Sequence, residues 1–521
     1  MALLLVNARV LTLNPVAPRL SGLRIEAGLV TDVWSSDPPT GLLGKRMDLG
    51  GAVVLPGLAD AHLHLQSLGQ SSREVSLTGS RSLEDALGRV AAGARAQAGK
   101  GWIRGRGWDQ NNWPTKSFPS AEDLDRVVPE RPVFMERVDG HTLWVNSEAM
   151  RLAALTEATA SPPGGEILRD GQGKATGILV DNATALVTQH LSSISSAELR
   201  ADLLRGMRMC ADVGLTSVHD MGVTPTMLTE LRALEQAREL PVRVFVYLSG
   251  TDEELAPLLR RPQEASGLLR VRGVKLFADG ALGSRGAALL EPYDDRPETS
   301  GLLVTEPTVL RARAREVHAA GYQVAIHAIG DRGVREALDA IAAAEGPDRA
   351  RRHRIEHAQV VASEDRSRFA EFGVIASMQP THAVSDMLWA EARLGPKRLR
   401  GAYSWRTLLN AGARLAFGSD APVELVSPWL GLHAAVTRQN LEGQPLKGFQ
   451  PEERLSIREA LSAFTLGAAV ASGDPDLGEI RAGARADLTI VDRDPEAISA
   501  ADLPEVRVLK TVVEGRVRDT S

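Results

Sequence analysis

His62 and His64 stand two residues apart at the close of an apolar run, in Asp60-Ala-His-Leu-His64. Positions i and i+2 of an extended strand face the same way, so both imidazoles can meet one ion. Other groups of suitable chemistry close or interrupt further apolar runs: Lys275 in Val274-Lys-Leu-Phe277, His327 in Ile326-His-Ala328, His357 in Ile355-Glu-His357, and Asp420 in Gly418-Ser-Asp420. Imidazoles and a carboxylate, with no cysteine among them, suit zinc or another borderline divalent ion such as manganese, iron or cobalt. Taken singly these are weak signals, since a His-x-His pair can be polar surface and an Asp at a strand end can be a helix N-cap. Their recurrence at one end of successive strands is what points to a metal centre.

Lys275 carries the most specific chemistry. Between Val274, Leu276 and Phe277 its amine must shed its charge or find a partner, because an unpaired buried ammonium is costly. Asp279 is the nearest candidate for an ion pair. The alternative is a neutral amine carboxylated by CO2, giving a carbamate that could bridge two metal ions.

Such a convergence requires a scaffold that gathers strand ends. Eight buried-strand candidates occur at 53–58, 215–219, 242–248, 271–278, 322–328, 353–357, 374–377 and 414–418. Most of their connections carry helical spacing, as at 197–213, 308–320 and 332–344, which is the repeat of a parallel barrel with its site at the C-terminal strand ends. The long gap from 66 to 196 holds Trp102, Trp108, Trp113 and Trp144 and reads as an insertion over the barrel mouth. Both chain ends, 1–55 and 476–521, alternate short β-like runs with turn signals and suggest one composite sheet domain, because termini often lie close together. The expected fold is α/β: a (β/α)8 TIM-type barrel over 56–475, with a small β-sandwich domain built from both chain termini and an α/β insertion after the first barrel strand.

The 521 residues, 43% apolar and 24% charged with a formal charge of -6, have the balance of a globular protein. Neither charge sign forms a long run, so no nucleic-acid track is expected. No stretch of about 18 apolar residues suggests a membrane span. The lone Cys210 permits no internal disulfide, in keeping with a cytoplasmic location. A homodimer is left open.

The segments Leu55-Pro-Gly-Leu-Ala-Asp-Ala-His-Leu-His64, Val274-Lys-Leu-Phe-Ala-Asp-Gly-Ala-Leu-Gly-Ser-Arg285, His327-Ala-Ile-Gly-Asp-Arg332, Arg354-Ile-Glu-His-Ala-Gln359 and Phe417-Gly-Ser-Asp-Ala-Pro422 resemble the amidohydrolase superfamily. The likeness is closest to its YtcJ-like branch, which includes N-substituted formamide deformylases. It extends to Gly107-Trp-Asp-Gln110, to Asp139-Gly-His-Thr-Leu-Trp-Val-Asn146 and to the segment 478–491, and so covers nearly the whole chain. By that resemblance His62, His64 and Asp420 hold one metal ion, His327 and His357 a second, and carboxylated Lys275 bridges them, though some members work with one ion and an unmodified lysine. The implied reaction is attack of a metal-activated water on a small amide, formamide or cyclic amide, with Asp420 as general base and proton carrier.

The rival within the same superfamily is a mononuclear deaminase. Such enzymes resemble one another in carrying a Glu shortly after the strand-five His, and here His327 is followed by Ala328, Ile329, Gly330 and Asp331. Trp108, Asp109 and His141 are candidates for an aromatic lid over the substrate, the competing reading being that the tryptophans form the insertion's own core. Ser284, Arg285 and His382 are further candidates for substrate contact. His219 and Asp220, at the close of the second strand, fit a catalytic role and that of hydrogen-bond partners behind the ligands equally.

Overall fold

A computed structural model describes residues 2–97, 101–191, 194–251, 253, 255–260, 267–345 and 349–520. Eight strands form one sheet in sequential order: β1 (Leu58–Leu63), β2 (Leu215–Val223), β3 (Arg243–Ser249), β4 (Leu269–Phe277), β5 (Gln323–Ala328), β6 (Arg354–His357), β7 (Ile375–Met378) and β8 (Arg414–Phe417). Every neighbouring pair is parallel. The ring closes just beyond β8, where the Asp420 amide donates to the His62 carbonyl (2.7 Å) and the His64 amide to the Ala421 carbonyl (2.9 Å). A candidate ligand therefore sits on each side of the seam. Helices such as Ser196–Asp212, Pro307–Ala319 and Asp331–Glu345 follow the expected βα rhythm.

The first strand differs from the expectation of 53–58. That apolar run changes sheets: Val53–Pro56 pairs with Leu488–Val491 and Arg9–Leu11, and the barrel strand begins at Leu58. Gly57 is the crossing point. Its amide donates to the Asp487 carbonyl at 2.8 Å, and a Cβ there would meet Thr216 Oγ1 at 2.1 Å. A residue with any side chain could not pass, so an unbroken apolar run serves two sheets.

Val53–Pro56 lies in a six-stranded sheet with Arg9–Leu11, Arg19–Leu20, Leu488–Val491, Val508–Val513 and Arg516–Asp519. A four-stranded sheet of Leu3–Val6, Gly22–Glu26, Leu29–Trp34 and Lys45–Asp48 faces it. Leu5, Leu23, Ile25 and Val30 of the smaller sheet share one buried core with Val54, Leu488, Ile490 and Val512 of the larger. Both chain ends thus build one apolar interlayer, the arrangement of a β-sandwich.

Between β1 and β2 a third sheet forms from Val75–Ser76, Ile103–Trp108, Val133–Arg137, Thr142–Val145, Gly165–Arg169 and Ala175–Asp181. Trp108, Trp113 and Trp144 are buried in its own core, with ring centroids 5.9–6.3 Å apart. The core reading holds for them.

Buried His353, paired with half-buried His318, makes the barrel sensitive to acid. The Val324 amide donates to His353 Nδ1 (2.9 Å), so the His353 proton sits on Nε2 and is given to His318 Nδ1 (3.0 Å). Burial, with His318 beside it, pushes the His353 imidazole down to about 3. The folded protein then binds this proton less readily than the unfolded chain, so stability falls as pH drops below about 6.5 and levels off near the depressed value. His353→Gln should flatten the decline between pH 7 and 5 by up to about 1.4 kcal/mol per pH unit. Denaturant melts of both proteins across that range check it; parallel pH profiles would refute the assignment.

Candidate metal centre

His62, near the end of β1, and His64, just past it, both reach the mouth, each with its Nε2 3.4 Å from Asp420 Oδ1. In the register of β4, β5 and β6, Lys275, Ala325 and Arg354 share one layer of the barrel, and Phe277, His327 and Glu356 the next. Glu356 and His357 are adjacent, so a regular strand would send them to opposite faces. His357 and Ala358 instead take φ of 72° and 45°. That left-handed turn ends β6 and brings the imidazole into the mouth beside His327 and His62, with centroids 4.6 and 4.8 Å away. Asp420 is also left-handed (φ 60°). Non-glycine residues held there are strained, and such strain gathers at functional sites.

The hydrogen bonds behind each imidazole determine which nitrogen is left for a ligand. His62 Nδ1 donates to Glu356 Oε2 (2.7 Å) and His64 Nδ1 to the Met221 carbonyl (2.7 Å), which frees both Nε2 atoms. His357 Nδ1 donates to Gln379 Oε1 (2.9 Å), again leaving Nε2. In His327 it is Nε2 that faces the Gly280 carbonyl (3.4 Å), which leaves Nδ1. Asp420 Oδ1 lies 3.4 Å from both His62 Nε2 and His64 Nε2. An ion with bonds near 2.1 Å in a tetrahedral site has its ligands about 3.4 Å apart, so this spacing fits zinc. Among the described residues, His62, His357 and Asp420 offer ligand atoms that all lie within 4.8 Å of one another. His64 adjoins this cluster through Asp420, and His327 through His357.

Lys275 is buried, and its Nζ donates to His62 Nε2 (3.2 Å). Burial pulls its amine down to about 8. Asp279 is not its partner. That carboxylate accepts three backbone amides, from Ala288 (2.9 Å), Ile329 (2.9 Å) and Gly330 (2.8 Å), and so shapes the loop after β4 instead. Burial lowers His62 to about 4 and holds His327 and His357 well below the ordinary imidazole value, keeping the rings neutral as ligation requires. Burial would raise Asp420, but His62, His64 and His357 together hold it well below the ordinary carboxylate range.

Beneath the centre lies a fully buried ion pair. Arg354 Nη2 donates to Glu356 Oε2 (2.9 Å), to the Ala61 carbonyl (2.5 Å) and to Ser377 Oγ (2.6 Å), and Nη1 to His219 Nδ1 (2.8 Å). Burial alone would raise Glu356; Arg354 and the His62 bond outweigh it and hold the group strongly acidic. Glu356→Gln should cost about 3–5 kcal/mol in chemical denaturation, because it strands the Arg354 charge. An unchanged midpoint would contradict that role. His219 braces Arg354, and Asp220 Oδ1 accepts the Leu65 amide (3.1 Å) just past His64.

Above the centre opens a cavity of about 180 Å³ lined by His327, His357, Asp420, Asp109, His141 and His382 together with Arg137, Asp139, Gln359, Asp386, Trp389 and Glu424. His141 Nδ1 donates to buried Asp181 (2.7 Å), and its ring lies 5.0 Å from that of His327. Burial pulls His141 down, but the Asp181 bond prevails and raises it to about 9. Three of the expected substrate contacts fall elsewhere. Trp108 gives its Nε1 proton to the Met135 carbonyl inside the insertion core. Arg285 pairs with Asp295 (2.9 Å), and Ser284 Oγ turns back to the Ala281 carbonyl (3.3 Å); neither lines the cavity. Residues that strand-end reading missed include Arg137, which is buried between Asp109 and Asp139, and Asp386. The charged Asp139-Gly-His141 turn was the available signal for the first.

Comparison with known proteins points to one family. The amidohydrolase family model matches residues 45–519. The YtcJ protein of Bacillus subtilis (strain 168), named as an amidohydrolase, is 33% identical over 91% of this chain and 90% of its own. An N-substituted formamide deformylase of Arthrobacter pascens is 29% identical over 99% and 98%. The crystal structure of an uncharacterized metal-dependent hydrolase from Pyrococcus horikoshii OT3 superposes with a TM-score of 0.79 at 31% identity, covering 96% of this chain and 99% of that one. The chain belongs to the amidohydrolase family.

Proposed function

We propose that this protein is a metal-dependent hydrolase of a non-peptide C–N bond in a small amide, formamide or cyclic amide. The observation that carries the reading is the set of unprotonated ring nitrogens from β1, β5 and β6 turned into one mouth, with Asp420 equidistant from two of them. His62, His64 and Asp420 would hold one divalent ion, zinc by the ligand chemistry, and His327 and His357 a second. A CO2-derived carbamate on Lys275 would be their shared ligand, which its buried and weakened amine favours. Such ions lower the pKa of water towards neutrality and polarise a carbonyl.

Asp420 takes the proton of the attacking water and returns it to the leaving nitrogen as the tetrahedral intermediate collapses. Glu356 and the Met221 carbonyl keep His62 and His64 in the ligating tautomer. Asp109 and His141 form the polar wall that orients the amide. Deamination is disfavoured here, since Asp331, the first acidic residue after His327, turns to the Leu290 amide (2.8 Å) and does not line the cavity. The kinship with a formamide deformylase makes N-substituted formamides the first substrates to try. The zinc-loaded protein should release formate or carboxylate from a panel of N-formyl and N-acyl amides. Release of ammonia from aminopyrimidines or aminotriazines, with every amide left intact, would overturn the proposal.

A further inference from the structure

We infer that His382 is a further catalytic residue, whose Nε2–H donates to the carbonyl oxygen of the substrate; this rests on the hydrolase reading above. A chain of hydrogen-bond donors ends at the cavity. Tyr403 Oη donates to Asp386 Oδ2 (2.7 Å). The same oxygen accepts from Gln359 Nε2 (3.3 Å). The second Gln359 proton then goes to His382 Nδ1 (3.3 Å). A ring nitrogen that accepts carries no hydrogen, so the proton of His382 is on Nε2.

That Nε2–H is buried and has no hydrogen-bond partner among the described residues. Its nearest carboxylate oxygen, Asp420 Oδ2, lies 3.8 Å away, beyond hydrogen-bond reach. The residue is 8% exposed, lines the cavity, and stacks its ring 6.1 Å from that of His357 at 16°. An orphaned buried donor is costly unless a ligand satisfies it. What satisfies an imidazole N–H beside the centre is an oxygen acceptor that gains charge during reaction, as the amide carbonyl does when water adds. Gln359 and Asp386 act through His382 and are positioning residues.

Acetohydroxamate, whose paired oxygens mimic the tetrahedral adduct, tests this without turnover. Its Kd for the zinc-loaded protein, by calorimetry, should rise at least tenfold in His382→Phe with bound zinc unchanged. His382→Gln, which can present a nitrogen near the Nε2 position, should recover most of the loss. Gln359→Leu keeps the imidazole but frees its tautomer, and should weaken binding several-fold. In amide turnover, His382→Phe should lower kcat by about 10²–10³ with KM little changed. Equal hydroxamate affinity in wild type and His382→Phe, or no hydroxamate binding by the zinc-loaded wild type, would overturn the inference. An intact hydroxamate difference in a protein that hydrolyses no amide would instead refute the amide reading alone.

Discussion

Asp420→Asn is expected to lower kcat by about 10⁴-fold, the largest effect of any single substitution in this molecule, because one change removes both a proton acceptor and an anionic ligand. The asparagine keeps the shape and the left-handed backbone that closes the seam with β1, so the barrel should persist. What it loses is charge. The carboxylate lies 3.4 Å from two imidazole nitrogens and is held ionised by the three histidines around it. An amide there would turn either its N–H towards the freed lone pairs or a weaker acceptor towards the ion. Steady-state kinetics with metal analysis of the same preparation check the prediction. Activity within tenfold of wild type would show that the proton travels by another group.

Lys275→Ala should abolish most activity, by about 10³-fold, and lower the bound metal. An amine pulled to about 8 has a neutral fraction at pH 7 a few hundred times that of an ordinary lysine, and only the neutral amine adds CO2. The cavity left by the shortened side chain should admit a short carboxylate, so propionate is expected to restore part of the rate. Native mass spectrometry in bicarbonate should find 44 Da on wild type (the mass of one CO2) and none on the variant. Full activity of Lys275→Ala would mean that the lysine only fills space beside His62.

Much of this site was legible in the sequence because its ligands obey strand alternation. His62 and His64 share a face by period two, and each remaining candidate ends or, like Lys275, interrupts a recognisable apolar run. Two features escaped that logic for a physical reason. His357 follows Glu356 directly, and only the left-handed φ of 72° lets both residues turn inward, which no pattern of residue types reveals. The run at 53–58 divides between two sheets at Gly57, a crossing set by contact with Thr216 and Asp487, both distant in sequence. The cavity wall was harder still. Trp108 was attractive as an aromatic lid, but its indole is covered by Trp113, Trp144 and Phe118. Burial in an insertion with a core of its own cannot be read from residue type. Conversely, Asp279 looked a natural partner for Lys275 by spacing, yet the loop amides of Ala288, Ile329 and Gly330 claim it.

The central claim is that the histidines and Asp420 at the barrel mouth hold the metal on which hydrolysis depends. The most direct measurement is a zinc titration of chelator-stripped protein in bicarbonate buffer, with bound zinc and formate release from an N-substituted formamide followed in the same samples. The account predicts no turnover in the stripped protein and a rate that rises with bound zinc to saturate at two equivalents. Undiminished turnover by protein shown to be free of divalent ions would contradict it.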